Sequence, residues 1–151
     1  MRAGLLTGVT DGAFSSILAV FFYGSTVTKL FQGVAAVVIG APAATEGGTK
    51  TAALGWLIHF CVAFTWSTVF LLMYNQLATL RGFVQSVPGK LIAAAVYGPL
   101  IWMVMSFLVI PTLVHRPTTV TYKWWIQFVG HAPFVALPMI LAIARRSDLP
   151  P

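Results

Sequence analysis

Acidic side chains are almost missing from this chain. Three Asp and Glu stand against nine Lys and Arg in 151 residues, and charged residues of both signs amount to 8%. A soluble domain carries about 25%, so an ordinary solvated surface is excluded. Cysteine is scarcer still. Cys61 stands alone, which rules out an intramolecular disulfide and any cysteine-based zinc site; about 200° round a helix from His59, it is expected to be a small packing residue. Several catalytic signatures are missing as well. There is no His-Glu-x-x-His, no glycine-rich loop closing on Lys-Ser/Thr, no Gly-x-Ser-x-Gly elbow and no Cys-x-x-Cys-His for covalent haem. Ser15, Ser16 and Ser106 sit in no protease-like motif, so an enzyme is not the expectation. The basic residues stand singly or in pairs at the edges of apolar runs, which marks helix ends at a membrane surface and not a nucleic-acid groove.

Apolar surface, by contrast, is abundant. Hydrophobic residues make up 58% of the chain and mean hydropathy is +0.88, more than a soluble core of this length hides. An apolar helix of roughly 20 residues crosses a bilayer, and four runs reach that length: residues 3–24, 49–74, 90–110 and 123–144. The expected fold is therefore all-α, an integral membrane bundle of four transmembrane helices forming a single domain over 1–151. The first run superficially resembles a signal peptide, but Asp11 in its middle and the lack of a small-residue cleavage site after Tyr23 make it a retained span. Pro88 and Gly89 mark the start of the third span and Pro111 its end, with Pro99 expected to kink it. Trp124 and Trp125 open the fourth in the manner of a headgroup belt. Gln127, His131, Pro133 and Pro138 then interrupt it, and Arg145 and Arg146 close it.

Between the first two spans, Val27, Leu30, Phe31, Val34 and Val38 fall on one side of a helical wheel in a piece too short to cross. Ser25 is the expected N-cap, and Gly40 with Pro42 the expected stop. Residues 26–40 thus read as an amphipathic helix lying in the interface, with a re-entrant hairpin through 34–44 as the alternative. Glu46, Gly47 and Gly48 read as a flexible turn. His115, in the polar loop 112–122, reads as a solvated histidine. Four spans place both termini on one side. Arg2, Arg81, Lys90, Arg145 and Arg146 share that side against Lys29, Lys50, Arg116 and Lys123, which points to cytoplasmic termini, although so near a tie leaves room for dual insertion.

The chemistry concentrates at one depth. At 1.5 Å per residue, Asp11 lies about 12 Å into its span, His59 about 14 Å and His131 about 12 Å, so all three approach the midplane. Ionisable groups there are costly and turn inward. Asp11 shares its face with Gly4, Thr7, Gly8 and Ser15, while Ala52, Gly55 and Ala63 share the face of His59. Small residues at that spacing admit a neighbouring helix. The expectation is a polar node of Asp11, His59 and His131, with Gln127 and Tyr97 as further polar or ligand-binding candidates and Gly4, Gly8, Ala52, Gly55 and Ala63 as packing positions. Two imidazoles facing each other could instead ligate a b-type haem or a chlorin; otherwise no cofactor or metal is expected.

The run GGTKTAALGWLIHFCVAFTW (Gly47 to Trp66), then AAAVYGPLIWMVMSFLVIP (Ala93 to Pro111), resembles short four-span bacterial inner-membrane proteins with no assigned activity. The resemblance rests on Gly47, Gly48, Thr51, Ala52, Leu54, Gly55, Ile58, His59, Phe60, Tyr97 and Gly98, with Asp11 in a glycine-rich first span. It implies the fold and a bacterial inner-membrane location. The functional expectation is a structural or accessory component of a larger membrane complex or homo-oligomer, surrounded by lipid and without a nucleic-acid partner. The alternative is a small proton-coupled carrier using Asp11.

Overall fold

A computed structural model describes residues 1–144; Arg145 and Arg146 lie outside the described residues. Those residues are helical, with no strand among them. Four helices are long and apolar enough to cross a membrane: span one Arg2–Phe22, span two Gly48–Gln76, span three Val87–Val114 and span four Tyr122–Ala144. Their outer surfaces carry large apolar side chains, among them Phe21 (79% exposed) and Phe22 (68%). The core lies between spans two, three and four, where Phe70, Tyr97, Ile101, Met139 and Ile140 pack together.

Helix ends follow local chemistry, with some departures from expectation. Thr26, not Ser25, caps the short helix Val27–Ile39: its Oγ1 accepts from the Lys29 amide at 3.1 Å. Only the residue one position before the first helical residue has its oxygen in reach of that amide. Gly40 ends this helix at φ +83°, a backbone that other residues rarely adopt. The helix stops there as expected of Gly40 and Pro42, and Pro42 also occupies the first turn of a further helix, Ala41–Glu46, because proline lacks only an N–H that a first turn leaves unpaired. The Gly47–Gly48 turn is tied in place. Gln32 donates to the carbonyls of Thr45 (3.3 Å) and Gly48 (3.1 Å), and Thr51 donates to that of Ala44.

Span three is longer than 90–110 at both ends. Ser86 caps it by accepting from the Gly89 amide, and Pro88 lies in its first turn. Pro111 does not end it either. A π-helical turn, Met105–Val109, intervenes, and Pro111 falls in the first turn of the helix Ile110–Val114 that follows. His115 then closes that helix in the left-handed conformation (φ +54°) and is exposed, as expected of a solvated histidine.

The π turns expose how the bundle handles its prolines. In the turn over Met105–Val109 the Ile110 amide bonds to the Met105 carbonyl, and Pro111 has no N–H, so the Ser106 carbonyl loses both helical donors. Thr118 donates to that carbonyl, and Trp124 Nε1 donates to the Ser106 hydroxyl at 3.0 Å. Span four repeats the arrangement. Pro138 cannot supply an amide to the carbonyl of Phe134, four residues earlier, and Thr10 of span one donates to it at 2.6 Å. Two carbonyls freed by proline are thus each met by a threonine hydroxyl from a distant segment.

Span one is the hub. Phe14 stacks on Phe134 of span four at 4.4 Å between ring centres. On its other side Gly4 and Gly8 receive the rings of Phe64 and Phe60 from span two. The short helix lies against span two at Gly55, where Phe31 and Ala35 are buried and a Cβ on Gly55 would overlap the Phe31 carbonyl. Gly98 performs the same service between spans three and four, against the His131 backbone. Of the expected packing positions, Gly4, Gly8, Gly55 and Ala63 are buried and Ala52 is half-buried. Cys61 departs from expectation: it is exposed, because the wheel position opposite the helix contacts of span two faces outward.

Candidate functional site

The site is built where span two crosses the glycine-rich face of span one. Gly8 has no side chain and lies one turn before Gly12, so the imidazole of His59 comes down onto the backbone of span one. Its Nε2 stands 2.9 Å from the Gly8 carbonyl oxygen. A Cβ on Gly12 would sit 3.4 Å from that same nitrogen, at the near edge of ordinary contact. The other ring nitrogen, Nδ1, faces Asp11 Oδ2 at 3.8 Å. One turn further along span one, the Ser15 hydroxyl lies 3.4 Å from Asp11 Oδ1. The two side chains keep 13% and 19% of their surface accessible. Phe31 and Phe60 set ring edges against the imidazole at 5.8 and 5.6 Å, which holds its plane.

A cleft of about 240 Å³ opens beside the pair. Gly8, Val9, Gly12, Ala13 and Ser16 of span one, Val27 and Phe31 of the short helix, and Trp56 and Phe60 of span two line it. Gly8 and Gly12 therefore border both the cleft and the imidazole.

The other expected members of the node go elsewhere. His131 is buried, with its Nδ1 2.6 Å from the Gln127 carbonyl and its ring 4.9 Å from that of Trp102. Its hydrogen bond is within span four. Gln127 presents its backbone to His131, and its buried Oε1 has no partner among the described residues. Tyr97 donates to the Trp66 carbonyl of span two at 3.0 Å. It belongs to the packing of spans two and three. Bis-imidazole ligation of a haem would require His59 Nε2 to leave Gly8 and the two rings to be brought face to face. Among the described residues no group of three or more His, Cys, Asp or Glu is placed to hold a metal ion.

Residues that matter here but carry no sequence motif are Ser15, Thr10 and Gly12. Ser15 was visible on the Asp11 face, one turn away; Thr10 and Gly12 act through distant partners, which no local pattern announces. No protein-family model matches the chain, and no curated protein or solved structure matches it.

Proposed function

We propose that this chain is a multi-pass protein of the bacterial inner membrane that serves as a structural or accessory component of a larger membrane assembly, with the Asp11–His59 pair as the polar joint between spans one and two. The observation that carries this reading is the double engagement of one imidazole, Nε2 on the Gly8 carbonyl and Nδ1 facing Asp11. Both contacts run between the same two helices, so the group joins them. The likeness to short four-span inner-membrane proteins, the short helix at the interface and cytoplasmic termini belong to the same proposal. In this reading His59→Leu loosens span one from span two by about 1 to 2 kcal/mol, the upper range for polar contacts between membrane helices. Thermal unfolding in detergent measures it. Purification in mild detergent is the functional test: a stoichiometric partner supports the accessory role, and a chain that is isolated alone from native membranes at every detergent strength removes it.

A second reading is favoured by one feature: the pair remains partly accessible, and Gly8 and Gly12, against which the His59 ring lies, line a cleft. That suits a small proton-coupled carrier with Asp11 as its coupling carboxylate. Asp11→Asn then abolishes flux driven by a pH gradient in vesicles, and unchanged flux dismisses the carrier. Haem or chlorin binding through His59 and His131 is the least supported reading; a colourless purified protein ends it.

A further inference from the structure

We infer that Asp11 and His59 form a site for a single proton, held on Nδ1 of His59 against the Asp11 carboxylate. The inference rests on the reading of this pair as the joint between spans one and two, and it specifies the joint's third component. The Gly8 carbonyl is an acceptor only, so the nitrogen 2.9 Å from it, Nε2, carries a hydrogen. In a neutral imidazole that leaves Nδ1 with a bare lone pair. Nδ1 is the atom facing Asp11. A lone pair set against a carboxylate is repulsive, and the surroundings, with the rings of Phe31 and Phe60 at the imidazole's edges, provide little to screen it. One proton resolves the conflict.

The bookkeeping of donors and acceptors calls for one proton between Nδ1 and Oδ2, and imidazole, intrinsically the stronger base, is assigned it. With His59 as imidazolium, Nε2–H donates to Gly8 and Nδ1–H faces Asp11 Oδ2 at an ion-pair distance of 3.8 Å. Asp11 Oδ1 accepts from the Ser15 hydroxyl at 3.4 Å. Every polar atom of both side chains then has a complementary partner. Formation of the state breaks one O–H bond, of the Asp11 carboxyl or of water, and makes one N–H bond, with no change of oxidation state. The groups around the pair add no further charge against it. Span one adds Ser15, the short helix adds the uncharged ring of Phe31, and span two adds Phe60. From span four the titratable group is His131, buried, with its Nδ1 at the Gln127 carbonyl.

Substitution by asparagine separates this site from a joint without a proton. An Asn at position 11 retains an oxygen to accept from Ser15 and supplies an amide N–H to the bare Nδ1 of a neutral imidazole. The joint survives and the extra proton is no longer held. Asp11→Leu can do neither.

The test is ¹⁵N NMR of histidine-labelled protein in bilayers at pH 7, with His115→Gln to remove the exposed imidazole. His131 is recognised as the signal unchanged in type by Asp11→Asn. Two protonated nitrogens on His59 in the parent, changing to a protonated Nε2 and a bare Nδ1 in Asp11→Asn with folding retained, is the expected result. A bare Nδ1 in the parent overturns the inference, as does a bare Nε2. Should Asp11→Asn fail to fold, comparison with His59→Leu identifies the His59 signal, and the parent spectrum then decides. The result is independent of whether a partner copurifies, so this site can fail while the accessory role stands, and the reverse.

Discussion

Gly98→Ala and Gly55→Ala are each expected to remove most of the folded protein. At Gly98 an added Cβ overlaps the carbonyl of His131, and at Gly55 it overlaps the carbonyl of Phe31. In both cases the obstructing atom is backbone in another helix, which cannot rotate away as a side-chain tip can. Overpacking of an interior costs about 1 to 3 kcal/mol where side chains can shift; here whole helices must separate, and about 3 kcal/mol or more is expected. Gly33→Ala is the matched control. It lies exposed in the short helix with nothing within 4 Å of its Cβ position, so alanine there gains about 0.5 to 1 kcal/mol of helix propensity. Thermal unfolding and monodispersity in detergent, compared across the three variants, measure the contrast. Equal behaviour of Gly33→Ala and Gly98→Ala would contradict the interhelical contacts described above. The consequence reaches the site, because Gly55 seats the short helix whose Phe31 ring abuts His59.

Thr10→Val is expected to cost about 1 to 2 kcal/mol, the upper range for a polar contact between membrane helices. Valine keeps the shape of threonine and deletes the hydroxyl, so the Phe134 carbonyl that accepts from it at 2.6 Å is left bare. Thr10→Ser retains the donor and should cost far less. The sharper test is the double variant. Pro138→Ala restores an amide at the position that an α-helix uses to satisfy Phe134, and in that background Thr10→Val should lose most of its effect. A double-mutant cycle on unfolding free energy reads the coupling. Strict additivity of the two substitutions would show that the hydroxyl and the proline do not serve the same carbonyl. Thr10 is also the residue next to Asp11, so span one is held to span four immediately beside its joint with span two.

How much of this could be read from the residues alone differs by feature. The four long helices were legible because length and apolarity are local properties, and their bounds agree to within a few residues except at span three. There, proline was read as punctuation. Pro111 instead sits in the first turn of a helix that follows a π turn, where its missing N–H is tolerated. Gly40 and Pro42 do stop the short helix at Ile39, and Pro42 then opens the next helix. The depth argument correctly brought Asp11 and His59 together, since both depth and face follow from spacing along a helix. It also placed His131 at the same node, and there the hydrogen bond runs elsewhere. Equal depth does not fix direction across the bundle, and His131 bonds within span four and packs on Trp102.

Composition and periodicity by themselves determined that the chain is helical, that four of its helices can cross a membrane, and that Asp11 and His59 lie at one level on faces of small residues. Those properties follow from what each segment contains, whatever surrounds it. Tertiary structure alone decided that His59 rests on the Gly8 carbonyl, that the short helix docks on Gly55, and that Thr10 and Thr118 satisfy carbonyls freed by Pro138 and Pro111. A freed carbonyl must find a donor, but its own segment does not say which one. The donor is supplied by whichever helix packs alongside, more than a hundred residues away in the case of Thr10 and Phe134.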